Sequence, residues 1–548
     1  MLNIDDVSER VEHSTPTPDR TTQSMLPAVI ARHATLTPDA PFLQEVDGPS
    51  ATYGEVHNRA MRWMAALAAA GISAGDRVVT MLPTGIDAVA IWLGLAWLRA
   101  IDVATNPDYR GDVLDAALKL IEPSAIIALP DRLGDLAATP AAQAVDRLIV
   151  PSAPDDLPVS LRGKVDDFAT FLAQAGDTPI TDLAPPQPWD IACIIFTSGT
   201  TGPSKGVLIP WGMLDAAARS AFPLEEVLAD EVYYCALPFY HLLGRHCVAQ
   251  MALTGRRLVT RKRYSVTEFW SDVRRYGATM AFAFTAPLYQ QPPRNDDTDH
   301  TLRTLFAVPM IPEHREFDLR FGVRTRTMFG MTELGVAFAS GAHVDDYRAC
   351  GRAVAGPAGL EVRLVDEHDI EVSVGQIGEL VARTRHPWAL NAGYFRMPEE
   401  TAHAWRNGWF HTGDGFRRDE HGNYYFVERL KDYIRRRGEN ISAYEVEAAA
   451  NRYPDVLESA AIAVPSDTGE DEVKICIVAV AGRNPTADDI WAHLQESLPK
   501  YMVPRYVEFL AALPRTVTMK VRKVDLRADA LNSRTKDRLP QSEGTTTS

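Results

Sequence analysis

The sequence predicts an α/β protein with a large N-terminal part of several subdomains and a small C-terminal α+β domain. Helical and short apolar segments alternate from Tyr53 to about Leu129, which is typical of a layered α/β fold. A second break in composition falls at Val427–Arg437, where a basic cluster precedes a helix and two strand-like runs. With 548 residues and 46% hydrophobic content, the chain can form several domains with buried cores.

The hydrophobic periodicity predicts these elements in order. The first region contains helices over Gly54–Ala70, Ile86–Ala100 and Val113–Ile121, and strands over Arg77–Leu82 and Ala125–Leu129. Residues 130–190 show weak periodicity and end in the stiff connector Leu183–Pro188, which leads into a buried strand at Ile191–Phe196. The C-terminal region contains a helix over Ala443–Arg452 and strands at Ala460–Val464 and Lys474–Val480.

These patterns divide the chain into four segments. We expect an N-terminal domain over residues 25–428 and a C-terminal domain over 429–531. Residues 1–24 and 532–548 are polar and cannot bury enough apolar surface to offset the entropy of ordering, so both ends are predicted to be disordered.

Charge and cysteine usage exclude several classes of protein. The 56 basic and 72 acidic residues give a net charge of −16, which argues against nucleic acid as a partner. The five scattered cysteines form no CxxC pair and favour a reducing cytoplasm. The first ten residues are acidic, unlike a signal peptide, and the longest apolar run, Ala88–Leu98, is too short for a membrane span. We therefore expect a cytoplasmic protein without integral membrane association.

A loop rich in glycine and hydroxyl groups follows the buried strand at Ile191–Phe196 and ends in a lysine. Glycines allow the backbone to approach phosphate oxygens, N–H and hydroxyl groups donate, and the lysine adds a positive charge. The loop is not a Walker A motif because Ser204 precedes Lys205. An ordinary surface turn is the alternative, but the density of these residues favours a phosphate site. The candidate residues are Thr197, Ser198, Gly199, Thr200, Thr201, Gly202 and Lys205.

The string TSGTTGPSKGV at Thr197–Val207 resembles the phosphate loop of the adenylate-forming superfamily, which includes acyl-CoA synthetases, peptide-synthetase adenylation domains and luciferases. Further segments resemble the motifs of that superfamily in their order: LPFYH (237–241), FGMTE (329–333), GQIGEL (375–380), GWFHTGD (408–414), ERLKD (428–432) and PRTVTMK (514–520). Within it, RRGENISAYEVE and QPPRNDDTDHTLRTLF are most similar to the crotonobetaine/carnitine-CoA ligase-like branch.

The resemblance implies an acid–CoA ligase that uses ATP, Mg²⁺ and coenzyme A. A small carboxylic acid would attack the α-phosphate of ATP, release pyrophosphate, and then pass as an acyl group from AMP to the thiol. One alternative acceptor is a carrier protein, and another is an amine or other small nucleophile. Nitrite activation and a non-catalytic nucleotide-binding protein are further alternatives. The oligomeric state cannot be read from the sequence.

The same resemblance implies a role for each motif residue in the large domain. Thr197–Lys205 would hold the β- and γ-phosphates, Thr332 would donate to the α-phosphate, and Glu333 would hold Mg²⁺. Phe329 would stack on adenine, and Asp414 would accept hydrogen bonds from both ribose hydroxyls.

The resemblance also implies that the small domain is mobile and that Lys431 is its hinge. In this domain, Arg429 would contact ribose or phosphate, and Lys520 would be the catalytic lysine. His241 either lines the acyl pocket or is structural, and His411 is expected to be structural. A solvated face is the preferred interpretation of Arg435–Arg437, with a contact to a coenzyme A phosphate as the alternative.

Three positions depart from the family pattern: Met519 and Glu428 each replace a glycine, and Val308 lies in a segment that lacks the usual glycines. The acyl pocket is expected at Tyr240–Gly244, Phe282–Leu288 and Met331–Val336. Arg245 could face a second anionic group, but a surface arginine is the preferred interpretation.

Overall fold

The computed structural model describes residues 24–175, 184–197, 205–220, 222, 224–341, 344–354, 359–429, 434–436, 439–441, 443–465, 471–500, 502–515 and 521–538. Its contacts divide the chain into two compact units. Unit 1 comprises residues 1–197, 204–362 and 382–409, and unit 2 comprises 198–203, 363–381 and 410–548. No helix within the described ranges is long and apolar enough to cross a membrane.

Helices and strands largely alternate from Leu26 to Arg326, and strands predominate after that position. The helices are α1 (Leu26–Leu36), α2 (Tyr53–Ala69), α3 (Ile86–Trp97), α4 (Gly111–Ile121), α5 (Leu133–Ala137), α6 (Pro140–Gln143), α7 (Phe168–Ala173), α8 (Trp211–Ser220), α9 (Leu242–Thr254), α10 (Phe269–Tyr276), α11 (Thr285–Tyr289), α12 (His314–Phe321), α13 (Pro398–Ala404), α14 (Ala443–Ala450), α15 (Ala487–Ser497) and α16 (Lys523–Ala528).

The strands are β1 (Pro41–Glu45), β2 (Ser50–Thr52), β3 (Arg77–Met81), β4 (Ile101–Ala104), β5 (Ala125–Ala128), β6 (Leu148–Val150), β7 (Val165–Asp167), β8 (Ile191–Thr197), β9 (Lys205–Pro210), β10 (Val232–Cys235), β11 (Arg257–Thr260), β12 (Met280–Ala283), β13 (Thr304–Ala307), β14 (Arg324–Arg326), β15 (Met328–Met331), β16 (Gly335–Ala339), β17 (Ala349–Ala353), β18 (Leu360–Val365), β19 (Ile377–Thr384), β20 (Phe410–Arg418), β21 (Asn423–Arg429), β22 (Ile434–Arg436), β23 (Glu439–Ile441), β24 (Val456–Pro465), β25 (Asp471–Ala479), β26 (Tyr506–Phe509) and β27 (Lys536–Asp537).

Two mostly parallel sheets organise unit 1. One has the strand order β14-β13-β12-β10-β11-β1-β2 and the other has the order β7-β6-β5-β3-β4-β8-β9. Only the terminal strands β2 and β9 run antiparallel to their neighbours. In open α/β sheets, ligands bind outside the carboxyl ends of the strands. The loops that follow β10 and β12 therefore lie where a ligand site is expected.

The predicted α/β class and most of the predicted elements are confirmed. Helix α2 begins where a capping box forms, because Thr52 Oγ1 accepts from the Glu55 N–H (3.2 Å) and Glu55 Oε2 accepts from the Thr52 N–H (2.8 Å). The predicted helix Ile86–Ala100 ends early, at Trp97, and Arg99 has a left-handed φ of 55°. The next residues form β4, which the sequence analysis did not predict and which pairs with both β3 and β8.

Unit 2 contains a sheet with the order β24-β25-β26-β27. Lys474 is fully buried in it, and its ammonium donates to Glu508 Oε2 (2.5 Å) and to the Ala530 carbonyl (2.6 Å). Residues 363–381 and those from 410 onward belong to unit 2, in which β20 pairs with β21. The domain boundary at 428/429 stays a prediction. Of the predicted disordered tail, residues 532–538 are described and include β27. The prediction for residues 1–24 lies, except for Ser24, outside the described residues.

The preferred interpretation of Arg435–Arg437 as a solvated face is wrong for its central member. Arg436 is 3% exposed, because its guanidinium pairs with Glu472 (2.7 Å) and donates to the Val503 carbonyl (3.0 Å). The Arg435 side chain and Arg437 lie outside the described part of the chain.

Candidate active site

The strands β8 and β9 place the two ends of the glycine-rich loop side by side. Thr197 and Lys205 are paired in the antiparallel register, so the loop leaves and rejoins one hairpin. The Lys205 ammonium lies 4.6 Å from the centre of the Tyr394 ring, a cation–π distance. Ser198, Gly199, Thr200, Thr201 and Gly202, which are predicted to hold phosphates, lie outside the described residues.

Glu333 follows β15 on the turn to β16, and it is only 7% exposed. Its Oε1 accepts a hydrogen bond of 3.2 Å from the Tyr394 hydroxyl, and its carbonyl accepts one of 2.7 Å from Asn391 Nδ2. The same tyrosine therefore contacts Lys205 through its ring face and Glu333 through its hydroxyl. We call these three residues the Lys205–Tyr394–Glu333 cluster.

The segment that carries Tyr394 is fixed by backbone pairing along β9. The Leu208 N–H donates to the Gly393 carbonyl (3.0 Å) and the Phe395 N–H donates to the Gly206 carbonyl (2.8 Å). Gly393 has φ = 101° and lies against Thr401, so a side chain would strain this turn.

Asn391 orients this turn with its side-chain oxygen, which accepts from the Gly393 N–H (2.9 Å) and from Trp405 Nε1 (3.2 Å). The sequence analysis missed both Asn391 and Tyr394. The local signal is an Asn-x-Gly sequence, which favours a turn, before two aromatic residues. This signal does not predict which residues the turn contacts.

Phe329 and Thr332 lie on the same β15–β16 hairpin as Glu333 and are half-buried. The Phe329 ring centre is 5.9 Å from that of Phe338 on the paired strand. Gly330 passes so close to the backbone of Gly335 that a Cβ would lie 2.3 Å from its carbonyl oxygen. The hairpin thus holds Phe329, Thr332 and Glu333 on one tight turn, and their roles toward a nucleotide stay predictions.

His241 lies immediately before α9 and is half-buried, with its ring centre 4.7 Å from that of Tyr240. Burial is the main cause that raises the Tyr240 pKa to about 12. Two of the predicted acyl-pocket segments lie at the carboxyl ends of β10 and β12, which are neighbouring parallel strands. Tyr240–Gly244 comes after β10, and Phe282–Leu288 begins in the last residues of β12. Val308 is half-buried and is joined to Pro309 by a cis peptide bond.

The preferred interpretation of Arg245 as a surface arginine is wrong. Arg245 is fully buried and forms an ion pair with Asp102, which also accepts from Thr80 Oγ1 (2.6 Å). The guanidinium donates to the Phe239 carbonyl (3.0 Å) and lies 4.5 Å from the Trp92 ring centre. A buried charge requires such pairing. Through its bond to the Phe239 carbonyl, this arginine also fixes the backbone of the LPFYH segment.

In unit 2, Asp414 lies on β20 and is 3% exposed. The turn before it is held by Glu379 of the GQIGEL motif, which accepts from the Gly413 N–H (2.9 Å) and from His411 Nδ1 (2.9 Å). His411 is buried and its Nε2 lies 3.7 Å from Asp369, which agrees with the structural role expected for it.

The remaining predicted residues of unit 2 are described only in part. The backbone of Arg429 pairs with that of Asp414 across β20 and β21, and Glu428 pairs with Gly415. The side chain of Arg429, together with Lys431, Met519 and Lys520, lies outside the described residues.

Comparisons with known proteins identify the same regions. Residues 30–395 match the family model "AMP-binding enzyme" and residues 445–520 match "AMP-binding enzyme C-terminal domain". A crotonobetaine/carnitine–CoA ligase of Salmonella arizonae is 31% identical over 83% of this chain and 89% of its own length. A sulfoacetate–CoA ligase of Cupriavidus necator is 31% identical over 91% of this chain and 97% of its own. The crystal structure of ATP-bound MatB from Rhodopseudomonas palustris is 25% identical, covers 92% of this chain and 98% of its own, and superposes with a TM-score of 0.80.

Proposed function

The chain belongs to the family of AMP-binding enzymes, and we propose that it is an ATP-dependent, AMP-forming acid–CoA ligase. The observation that carries this proposal is the Lys205–Tyr394–Glu333 cluster. In it, one tyrosine contacts a cation through its ring and a carboxylate through its hydroxyl, next to the residue where the glycine-rich loop ends. A small carboxylic acid is the substrate that is activated, and coenzyme A is the acceptor.

The first half-reaction brings two anions together, because a carboxylate must attack a phosphate. Lys205 and the donors of Thr197–Gly202 neutralise the β- and γ-phosphates, and Thr332 donates to the α-phosphate. The carboxylate oxygen forms a bond to the α-phosphorus, and the bond to the leaving pyrophosphate breaks. Phe329 supplies a ring face for adenine.

Glu333 is the residue that would hold Mg²⁺. Magnesium prefers oxygen ligands and is usually bound by one or two carboxylates together with substrate phosphates. An ionised carboxylate offers about four lone-pair positions, so the bond from Tyr394 is compatible with a cation on Glu333. When bound, the metal neutralises phosphate charge.

In the second half-reaction, the coenzyme A thiol attacks the acyl carbon and AMP leaves with the oxygen that bridged the two groups. His241 and Tyr240 line the acyl pocket in this proposal.

In unit 2, Asp414 accepts from the ribose hydroxyls, Arg429 contacts ribose or phosphate, Lys431 is the hinge, and Lys520 bridges carboxylate and α-phosphate during activation only. A cytoplasmic location belongs to the same proposal.

The test separates the two half-reactions. With a panel of acids that includes sulfoacetate and crotonobetaine, we expect acid-dependent pyrophosphate exchange and, after coenzyme A is added, a thioester and AMP. Removing one preorganised electrostatic contact typically costs about 10²–10³ in rate, so Lys520→Ala should lose most of the exchange. The same variant should still convert a supplied acyl-adenylate to thioester. Near-normal exchange by a folded Lys520→Ala variant would refute the role of Lys520.

A further inference from the structure

The LPFYH segment, which follows β10, is held through its backbone carbonyls by two buried side chains. The Leu237 carbonyl accepts a hydrogen bond of 2.9 Å from Thr84 Oγ1, and the Phe239 carbonyl accepts one of 3.0 Å from Arg245 Nε. Thr84 is 4% exposed and Arg245 is fully buried. Because water does not reach these donors, the two bonds fix the backbone on both sides of Pro238. We call Thr84 and Arg245 the two anchors.

The two anchors connect the LPFYH segment to the other parallel sheet of unit 1. Thr84 lies in the connection that follows β3, and Arg245 forms its ion pair with Asp102 on β4. Asp102 is paired with Cys193 on β8, the strand that precedes the glycine-rich loop. The segment that follows β10 in one sheet is thus bonded to strands next to β8 in the other.

Two aromatic rings restrict the Arg245 guanidinium to one orientation. Its Cζ lies 4.5 Å from the Trp92 ring centre and 4.3 Å from the Phe239 ring centre. Trp92 Nε1 in turn donates to the Ala192 carbonyl of β8 (2.9 Å), and its ring stacks on that of Trp211 at the start of α8. A planar guanidinium packed in this way donates along fixed directions. The Phe239 carbonyl is therefore positioned relative to β8.

Activation of an acid requires the acid and the nucleotide to be held at a fixed separation. In the proposed function, the LPFYH segment lines the pocket for the acid, and the loop after β8 holds the phosphates. Two bound groups react rapidly when their reacting atoms are held about 3–3.5 Å apart, and a displacement of about 1 Å can cost about 10² in rate. A direct connection between these two segments meets this requirement.

We propose that Arg245 and Thr84 are positioning residues for the acid substrate. The inference rests on the proposed function, in which the acid is bound at the LPFYH segment. Both residues act through the backbone of this segment and not on the acid itself, since their side chains are buried and donate to its carbonyls. Asp102 holds Arg245 in place.

The experiment measures pyrophosphate exchange at varied concentrations of an acid from the panel above that the wild-type protein activates. Thr84→Val removes one anchor without touching a charge, and Arg245→Met/Asp102→Leu removes the other without leaving a buried charge unpaired. We expect kcat/KM for the acid to fall about tenfold in Thr84→Val and about 10²-fold in the double variant. The affinity for ATP, measured by calorimetry, should be unchanged in both.

The matched control is Glu231→Leu/Arg303→Met, which removes an ion pair of 2.9 Å with a buried carboxylate from the same unit. These residues immediately precede β10 and β13, whereas the LPFYH segment follows the carboxyl end of β10. We expect this variant to keep the wild-type kcat/KM for the acid even where its stability is lower.

Hydrogen–deuterium exchange provides a second measurement, which does not depend on the substrate. The amides of residues 237–244 should exchange faster in both anchor variants than in the wild-type protein and the control. The His241 N–H, which donates to the Pro238 carbonyl at 3.1 Å, is one of them.

The outcomes separate this inference from the proposed function. If the wild-type protein activates an acid and the anchor variants keep its kcat/KM, the anchors do not position the acid, whatever their amide exchange. A control that loses as much as the double variant, or a parallel loss of ATP affinity, would show a general loss of stability and would also overturn the inference. If the double variant does not fold, Thr84→Val decides alone. If no acid supports exchange by the wild-type protein, the proposed function is wrong and the inference fails with it.

Discussion

The Tyr394 hydroxyl donates a hydrogen bond of 3.2 Å to Oε1 of Glu333, and the ring of the same tyrosine faces the Lys205 ammonium at 4.6 Å. Glu333 belongs to a motif that the sequence analysis identified, whereas Tyr394 lies on a segment held by β9. The tyrosine thereby links the carboxylate expected to hold a metal to the lysine that ends the glycine-rich loop.

Tyr394→Phe should reduce pyrophosphate exchange and raise the Mg²⁺ concentration that half-saturates it. The variant keeps the ring beside Lys205 but removes a hydrogen bond to a charged group, worth roughly 1.5–3 kcal/mol. The matched control is Tyr425→Phe, which removes a tyrosine–carboxylate bond of 3.0 Å to Asp419 in unit 2. Equal exchange by the two variants would show that the hydroxyl of Tyr394 does not position Glu333.

Both Glu379→Ala and Asp414→Ala should lower the affinity for ATP, and the loss should be smaller in Glu379→Ala. Glu379 holds the Gly413 N–H and His411, so its loss frees the turn that carries the proposed ribose acceptor. Asp414→Ala removes a charged acceptor worth roughly 1.5–3 kcal/mol. Calorimetric titration of ATP measures both effects, with Glu361→Ala, a carboxylate paired with Arg383 in unit 1, as the control. Wild-type affinity in Glu379→Ala would contradict this positioning role.

Arg245→Met should lower the free energy of unfolding by ~3–5 kcal/mol, because it leaves the buried Asp102 without its counter-ion. Denaturant unfolding measures the loss. The double variant Arg245→Met/Asp102→Leu should regain much of it, since the unpaired buried charge is then absent. A double variant less stable than Arg245→Met would argue against a paired buried charge at this position.

His246 should make the protein less stable in acid. Burial lowers its pKa from 6.5 to about 4, and in the described part of the chain neither ring nitrogen has a hydrogen-bond partner. Between these pH values the unfolded state binds more protons, so the free energy of unfolding falls as the pH decreases, by up to ~3 kcal/mol. His246→Leu should flatten this dependence, and His421→Leu, on the surface, should not. An unchanged pH profile in His246→Leu would contradict the prediction.

Local patterns predicted much of this molecule, and the failures have a physical cause. Periodicity predicted α2 and β3 to within a few residues, and the resemblance of their motifs to the family pointed to Glu333 and Asp414, whose roles stay predictions. Asn391, Tyr394 and Arg245 were missed or misassigned because their roles depend on partners distant in sequence. Arg245 is an ordinary charged residue until Asp102, 143 positions earlier, is placed beside it. Strand β4 was missed because it is only four residues long and its partners β3 and β8 are not its immediate neighbours in sequence.

The formation of an acyl-adenylate is the central claim, and an isotope experiment tests it most directly. An acid that supports pyrophosphate exchange is labelled with heavy oxygen in its carboxylate, and the AMP released during thioester formation is analysed by mass spectrometry. Because a carboxylate oxygen bridges to the α-phosphorus and leaves with AMP, we expect AMP that carries one labelled oxygen. Thioester formation with unlabelled AMP, or with ADP and phosphate as the nucleotide products, would contradict the account.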